Sequence, residues 1–265
     1  MKQKLRKLPY QKLYHFYRTA LVILGCFAIL GLIIYIIGRP SHYILLLLSL
    51  IISITVIGLL VILLKLLNAV LREILVIDID IDKYRNYFDY AYRKSNKGQR
   101  QFAMIESYVA DGQYHYLKGD FKQSLESFSR VQGQKIIWYR RKTLVSAVAY
   151  YTLLNHIHQK DFTSYEEDLK RFQVLKGKNI AERAQKISAI HDVMTGMATS
   201  YFNQTVFEHK LDKIEAIYYE GLNSLNQGDR AKAEGLFQSI VSENPDLFYV
   251  QEAKKYLKSS GKKSR

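Results

Sequence analysis

Two long uncharged apolar runs lie near the start of the chain, and they constrain its fold more than any other feature. The first covers residues 19–38 (TALVILGCFAILGLIIYIIG), and the second covers residues 43–64 (YILLLLSLIISITVIGLLVILL). A helix of about 20 residues is about 30 Å long, which matches the apolar core of a bilayer. Only four residues, RPSH at 39–42, join the two runs. A link this short predicts an antiparallel transmembrane hairpin with both chain ends on one side of the membrane.

The placement of charge predicts which side that is. Residues 1–69 contain eight lysines and arginines and no acid; six of the eight precede the first run and one lies in the link. By the positive-inside rule, both termini are expected in the cytoplasm, with the hairpin in the cell membrane. A cleaved signal peptide is the alternative, but the first run is long for one and a second run follows at once. The single cysteine, Cys26, lies in the first run, which excludes a disulfide within one chain.

After residue 82 the sequence has a helical period. Apolar and aromatic residues recur every three or four positions, as at Tyr84, Tyr87, Phe88 and Tyr92, and strand patterns are nearly absent. We therefore expect an all-α chain. Its predicted organisation is a basic N-terminus at 1–18, the transmembrane hairpin at 19–67, a junction at 68–82, a helical domain at 83–258 and a basic tail at 259–265.

Two segments of the helical part repeat the same pattern. They are YVADGQYHYLKGDFKQSLESFSRV at 108–131 and IYYEGLNSLNQGDRAKAEGLFQSIVSENP at 217–245. We expect the first glycine of each to allow a close helix crossing, the second to end a helix, the aspartate to cap the next helix, and the phenylalanine to fill the core between the two. The residues that define the pattern are Gly112, Gly119, Asp120, Phe128, Gly221, Gly228, Asp229, Ala233, Phe237 and Pro245.

This pattern resembles the tetratricopeptide repeat, a helix-turn-helix unit of about 34 residues that stacks into a solenoid. The second segment matches well; the first has no closing proline and has Ser124 in place of the usual alanine. The interval between them has room for about two degenerate units, one of them at 148–175 with the turn Lys160-Asp161. Residues 248–257 are expected to form a helix that caps the last unit.

The resemblance implies a function in binding. The concave face of such solenoids comes from the first helix of each unit, and it predicts a partner-binding surface on residues from two units: Glu106, Val109, Gln113, Tyr116, Glu215, Tyr218, Leu222 and Leu225. Core packing is the alternative for each of them. The carboxylate clamp of chaperone-binding members does not carry over, because the Lys and Asn that form it are absent from these positions.

One acidic cluster raises the question of catalysis. Asp78, Asp80 and Asp82 alternate with aliphatic residues in VIDIDID and could bind a divalent metal. The alternative is that Asp80 caps a helix running to about Ser95, with Asp82 in its first turn, and that the Asn96–Gly98 stretch ends that helix. No other motif for a nucleophile, a metal or a phosphate is present. We therefore predict no enzyme, no catalytic residue, no metal ligand and no cofactor.

These features predict a membrane-anchored cytoplasmic scaffold or adaptor that binds a protein partner whose identity the sequence does not give. An alternative is a structural subunit of a membrane transport or secretion complex that contacts its partners through the spans. The basic termini could touch anionic lipid head groups or could simply be solvated. No nucleic acid partner is expected, because the anchor brings lipid closer.

Overall fold

The computed structural model describes residues 1–38, 43–134, 138–175 and 179–263. Within these ranges there are thirteen helices and no strand, which confirms the all-α prediction. The chain divides into two compact units, residues 1–75 and residues 76–265; they are called the first and the second unit below.

The first unit holds three helices, α1 (Lys2–Arg6), α2 (Tyr10–Gly38) and α3 (Tyr43–Val76). The stretches Tyr10–Ile37 and Tyr43–Val76 are long and apolar enough to cross a membrane, and each contains an 18-residue window with a mean hydropathy of 3.0. The predicted link at 39–42 lies outside the described residues. A Cβ atom at Gly31 would lie 3.0 Å from Cγ2 of Ile52, so this glycine allows α2 and α3 to approach closely.

Helix α3 continues well beyond residue 64, where the apolar run ends. The reason is local, because neither glycine nor proline follows Gly58 until Gly98. Near its end, Glu73 forms ion pairs with Lys2 at 3.4 Å and with Arg6 at 3.3 Å. The basic N-terminus is therefore held against the last part of α3.

The VIDIDID segment forms the end of α3, a turn, and the start of α4 (Ile81–Arg93). Oδ1 of Asp80 accepts a hydrogen bond from the backbone N–H of Lys83 at 3.0 Å, and Asp82 lies in the first turn. The capping interpretation of this segment is thus confirmed. Ile79, just before the cap, has a φ of +55°, which is unusual for a β-branched residue.

The prediction that Asn96–Gly98 ends α4 is wrong. The helix stops at Arg93, and Asn96 instead caps the following helix α5 (Lys97–Lys118), accepting a hydrogen bond from the N–H of Gln99 at 3.0 Å. The asparagine side chain satisfies an unpaired donor at a helix start, and this overrides the tendency of glycine to end a helix.

The remaining helices of the second unit are α6 (Phe121–Ser129), α7 (Trp138–Gln159), α8 (Phe162–Gln173), α9 (Ile180–Met194), α10 (Tyr201–Gln204), α11 (Lys210–Asn226), α12 (Arg230–Ile240) and α13 (Phe248–Lys263). Six helices form antiparallel hairpins: we call α5 with α6 the first hairpin, α7 with α8 the middle hairpin, and α11 with α12 the last hairpin. Helices α9 and α10 lie between the middle and last hairpins in the chain, and α13 is the final helix.

The three hairpins turn in the same way. The residue before the aspartate has a positive φ in each: +87° at Gly119, +58° at Lys160 and +81° at Gly228. The N–H of the aspartate then donates to the carbonyl five residues earlier, at 2.9 Å in every case; the pairs are Asp120–His115, Asp161–His156 and Asp229–Ser224. These bonds satisfy carbonyl groups that a helix end leaves open.

The aspartates differ in how they cap the second helix. Asp161 and Asp229 each accept a hydrogen bond from a backbone N–H three residues later, at 3.2 and 3.0 Å. Asp120 occupies the same position but makes no such bond. Its carboxylate lies 3.5 Å from Nδ1 of His115, much as that of Asp161 lies 3.4 Å from Nδ1 of His156.

Glycine and phenylalanine meet at the crossing of the two helices in the first and last hairpins. A Cβ atom at Gly112 would lie 2.6 Å from the ring of Phe128, and one at Gly221 would lie 2.5 Å from the ring of Phe237. Both rings are almost fully buried. Only glycine leaves room for them, so the repeated spacing reflects one packing arrangement used twice.

Helix α13 connects the two ends of the second unit. Its first residue, Phe248, has ring contacts with residues from the first, middle and last hairpins, namely Tyr116, Phe121, His158 and Tyr218. Just before it, Nδ2 of Asn244 donates to the carbonyl of Ile79 at 2.7 Å. The predicted C-terminal helix therefore does more than cap the last hairpin, because it also contacts the first and middle hairpins.

Candidate functional site

The predicted partner-binding residues fall into two groups in the structure. Val109, Tyr116, Glu215 and Tyr218 are buried, whereas Glu106, Gln113, Leu222 and Leu225 are partly exposed. Val109 packs in a core with Phe128. A partner can reach the buried four only if the helices separate, so the exposed four are the accessible part of the predicted surface.

A central aromatic cluster occupies the face on which the first helices of the hairpins meet. Its members come from α5, α6, α7, α11 and α13, and they are Tyr116, Phe121, His158, Tyr218, Tyr219, Phe248 and Tyr249. Tyr116, Tyr219 and Tyr249 are each no more than 1% exposed. The inner face that would be a groove in an open solenoid is therefore filled by the chain itself.

A buried ion pair lies beside this cluster. Nζ of Lys186 on α9 is 2.5 Å from Oε2 of Glu215 on α11, and the two side chains are 13% and 8% exposed. Although burial opposes its charge, the carboxylate of Glu215 raises the pKa of Lys186 well above its usual range. Burial also raises the pKa of Glu215, while Lys186 and a hydrogen bond from Tyr249 lower it. Burial is the larger effect, so the pKa of Glu215 lies above its usual value, and the ammonium group and the hydroxyl reduce this shift.

Hydrogen bonds extend from the ion pair into the aromatic cluster. The hydroxyl of Tyr249 lies 3.4 Å from that of Tyr116, and Nε2 of His158 lies 2.8 Å from the hydroxyl of Tyr219. Burial raises the pKa of all three tyrosines, so that each hydroxyl remains a donor. The arrangement links α5, α7, α9, α11 and α13 through satisfied polar groups, which favours one specific packing of the helices.

His158 is neutral in the folded protein. Its ring stacks on Phe121 with centroids 4.3 Å apart, and burial lowers its pKa to about 3. A histidine in an unfolded chain has a pKa of about 6.5. The folded state therefore excludes a proton that the unfolded state binds below this pH, and the stability that depends on a neutral His158 is lost as the pH falls.

We expect the second unit to be acid-sensitive because of this residue. Between pH 6.5 and pH 5, the free energy of unfolding should fall by about 2 kcal/mol from His158 alone. The variant His158→Gln keeps a hydrogen-bonding group near Tyr219 but does not titrate, so it should lose this part of the pH dependence. Denaturant unfolding of the detergent-solubilised full chain, followed by circular dichroism at both pH values, measures the difference. An identical pH dependence in the two proteins would contradict the assignment.

A cavity of about 500 Å³ opens between the first and middle hairpins. Its inner wall is apolar and comes from the end of the first hairpin, from α7 and from α8: Val131, Val145, Val148, Ala149, Phe172 and Leu175. Gln132, Gln134, Asp168 and Arg171 add polar groups. The hydroxyl of Thr152, which also lines the cavity, is buried and has no hydrogen-bond partner within the described residues.

The acidic cluster does not converge on one point. Asp80 caps α4, and nowhere in the described ranges do three His, Cys, Asp or Glu side chains come close enough to hold one metal ion. The hypothesis of a metal site at Asp78, Asp80 and Asp82 therefore has no geometric support.

Comparisons with known proteins identify no similar protein. No protein-family model matches the chain, and neither a curated protein nor a solved structure matches it.

Sequence reasoning missed the Lys186–Glu215 pair, the role of His158 and the inward position of Phe248 and Tyr249. Each depends on contacts between helices that are far apart in the sequence. One signal was present, because an aromatic pair directly follows the turn at Pro245 and starts an amphipathic helix. It indicates a buried helix start but not the surface that buries it.

Proposed function

We propose that this protein is a membrane-anchored scaffold of the tetratricopeptide kind that recruits a protein partner. The observation that carries the proposal is the common hairpin geometry, with the same turn hydrogen bonds in three hairpins and the same glycine–phenylalanine contact in two. Helical hairpins of this type serve mainly as binding surfaces. The second unit accordingly acts through binding rather than catalysis.

The first unit provides the anchor in this proposal. Helices α2 and α3 span the cell membrane, and the basic residues before α2 keep both chain ends on the cytoplasmic side. Anchoring confines the scaffold to the membrane surface. A partner bound to the scaffold is confined there too, which raises the effective concentration of the partner near other membrane components.

The docking point that we propose is the cavity between the first and middle hairpins. The central aromatic cluster fills the inner face with buried side chains, whereas this cavity combines an apolar wall with polar groups such as Asp168 and Arg171. Protein interfaces have the same anatomy, with an apolar centre and a polar rim. A volume of about 500 Å³ is enough for a large apolar or aromatic side chain of a partner segment.

The experiment compares two matched variants of the full chain after crosslinking in intact membranes. Val145→Arg places a charge on the cavity wall, whereas Val174→Arg makes the same change at a side chain that is 78% exposed. We expect the first variant to lose at least about tenfold of the crosslinked partner, because a hot-spot contact contributes about 2 kcal/mol or more. The second variant should retain it, and circular dichroism should report equal helix content for both.

Two outcomes would contradict the proposal. Equal recovery of the partner with both variants would exclude the cavity as the docking point. Crosslinks confined to α2 and α3 would indicate instead a subunit that contacts its partners through the spans.

A further inference from the structure

A basic, tyrosine-rich stretch follows the second apolar helix almost immediately. Residues 83–100 (KYRNYFDYAYRKSNKGQR) contain six lysines and arginines, four tyrosines and a single acid, Asp89. Only Ile77 to Asp80 separate α4 from the end of α3. We call the part of this stretch where α4 ends and α5 begins, residues 89–100, the α4–α5 elbow.

The four cations of the elbow are exposed, and two of them lie over the partly buried rings of tyrosines. Nζ of Lys94 is 5.8 Å from the ring centre of Tyr90, and Cζ of Arg100 is 5.4 Å from that of Tyr92. Arg93, 66% exposed, pairs with Asp89, and Lys97 is also exposed. The elbow therefore presents four cations and two tyrosines over a short length of chain.

This combination of groups fits the surface of an anionic bilayer. Tyrosine rings favour the depth of the lipid head groups, where one end of the ring is apolar and the other is hydrated. Lysine and arginine clusters next to a span bind the phosphates and carboxylates of anionic lipids. Nucleic acid has the same sign of charge as anionic lipid, but the elbow begins only 13 residues after the end of α3 at Val76, and this short connection favours lipid as its ligand.

We propose that the α4–α5 elbow is a lipid-binding surface that docks the second unit on anionic head groups. The proposal rests on α2 and α3 being membrane spans, and it does not depend on partner recruitment through the cavity. Binding at the elbow adds a second attachment point, which limits the freedom of the second unit relative to the bilayer surface.

The test measures the distance of the elbow from the head groups in the full chain, reconstituted in vesicles. A fluorophore is attached through Gln99→Cys in a Cys26→Ser background and is quenched by a lipid with a spin label on its head group. Gln99 is exposed, and its backbone N–H, not its side chain, bonds to Asn96. We expect quenching about threefold stronger with phosphatidylserine present than with phosphatidylcholine alone, and we expect added salt to remove the difference.

Matched charge variants make the test specific. Replacing Arg93, Lys94, Lys97 and Arg100 by Gln should lower the quenching to its level in phosphatidylcholine. Replacing four exposed cations elsewhere in the second unit by Gln makes the same change in net charge and should leave the quenching unchanged; these are Lys122, Arg130, Lys170 and Arg230.

Three results would overturn the proposal. Quenching that is equal in both lipids would indicate proximity from the anchor alone. Equal losses in the two charge variants would indicate a response to net charge. If the elbow variant keeps its quenching but loses the crosslinked partner, the elbow is a protein interface. Full recovery of the partner in Val145→Arg with normal quenching would contradict the cavity proposal alone, whereas loss of the partner in Val145→Arg with lipid-independent quenching would contradict the elbow proposal alone.

Discussion

Replacing Lys186 with Met is expected to destabilise the second unit by about 3–5 kcal/mol, because it breaks a buried ion pair by removing one partner. The variant removes the ammonium group 2.5 Å from Oε2 of Glu215 and leaves a carboxylate that is only 8% exposed. In the wild type, Asp212 lies 3.9 Å from Nζ of Lys186; in the variant, its charge would repel the Glu215 carboxylate with no ammonium group between them. Denaturant unfolding of the full chain in detergent measures the loss.

A second substitution distinguishes a missing charge partner from a packing defect. In the double variant Lys186→Met with Glu215→Leu, no charge of the pair remains unpaired, and most of the lost stability should return. Lys210→Met is the matched control, because Lys210 pairs with Glu243 at the same distance of 2.5 Å but is 50% exposed. It should cost no more than about 1 kcal/mol. Equal losses at Lys186 and Lys210 would contradict the role given to the buried pair.

Gly221→Ala is expected to destabilise the second unit by about 1–2 kcal/mol, because overpacking of a core costs about 1–3 kcal/mol whereas alanine gains about 1 kcal/mol over glycine inside a helix. The new methyl group would lie 2.5 Å from the ring of Phe237, which is 1% exposed and has little room to move. The steric term is the larger of the two, and unfolding of the full chain in denaturant gives the net effect.

Gly235→Ala provides a control of the opposite sign. Gly235 lies in α12, and a Cβ atom at this position would meet nothing within 4 Å. Only the helix propensity then acts, and the variant should be more stable by up to about 1 kcal/mol. Combining Gly221→Ala with Phe237→Leu should cost less than the sum of the two single changes, because the smaller side chain accepts the methyl group. Additive losses would show that the two residues are not coupled.

The local features of the fold could be predicted from the sequence. Two apolar runs, a helical period and the absence of strand patterns predict an all-α chain, and Asp80 carries enough information to locate the start of α4. The spacing of Gly221 and Phe237 also points to a close helix crossing. These features depend on residues that are near in sequence, so backbone propensity and capping chemistry determine them.

The inner face of the second unit could not be predicted in the same way. Whether a row of helical hairpins remains open or closes on itself depends on small rotations between neighbours, which add up along the chain. The first helices of the hairpins carry Tyr116 and Tyr218 in either case. The contacts of α13 with these tyrosines help to decide whether they line a groove or fill a core, and residues 248–263 do not show by themselves on which surface α13 packs.

The bond between Asn244 and Ile79 has a consequence for the order of events in synthesis. It joins residues 165 positions apart, at the two ends of the second unit. In an open repeat array each hairpin can fold as soon as it is made, but here the first hairpin completes its core only when α13 arrives. At the usual rate of translation the ribosome needs about 10–40 s to make the chain from α4 to α13. During this interval Tyr116 and Phe121 of the first hairpin lack their ring contacts with Phe248. We therefore expect the second unit to complete its fold late, once α13 has been synthesised.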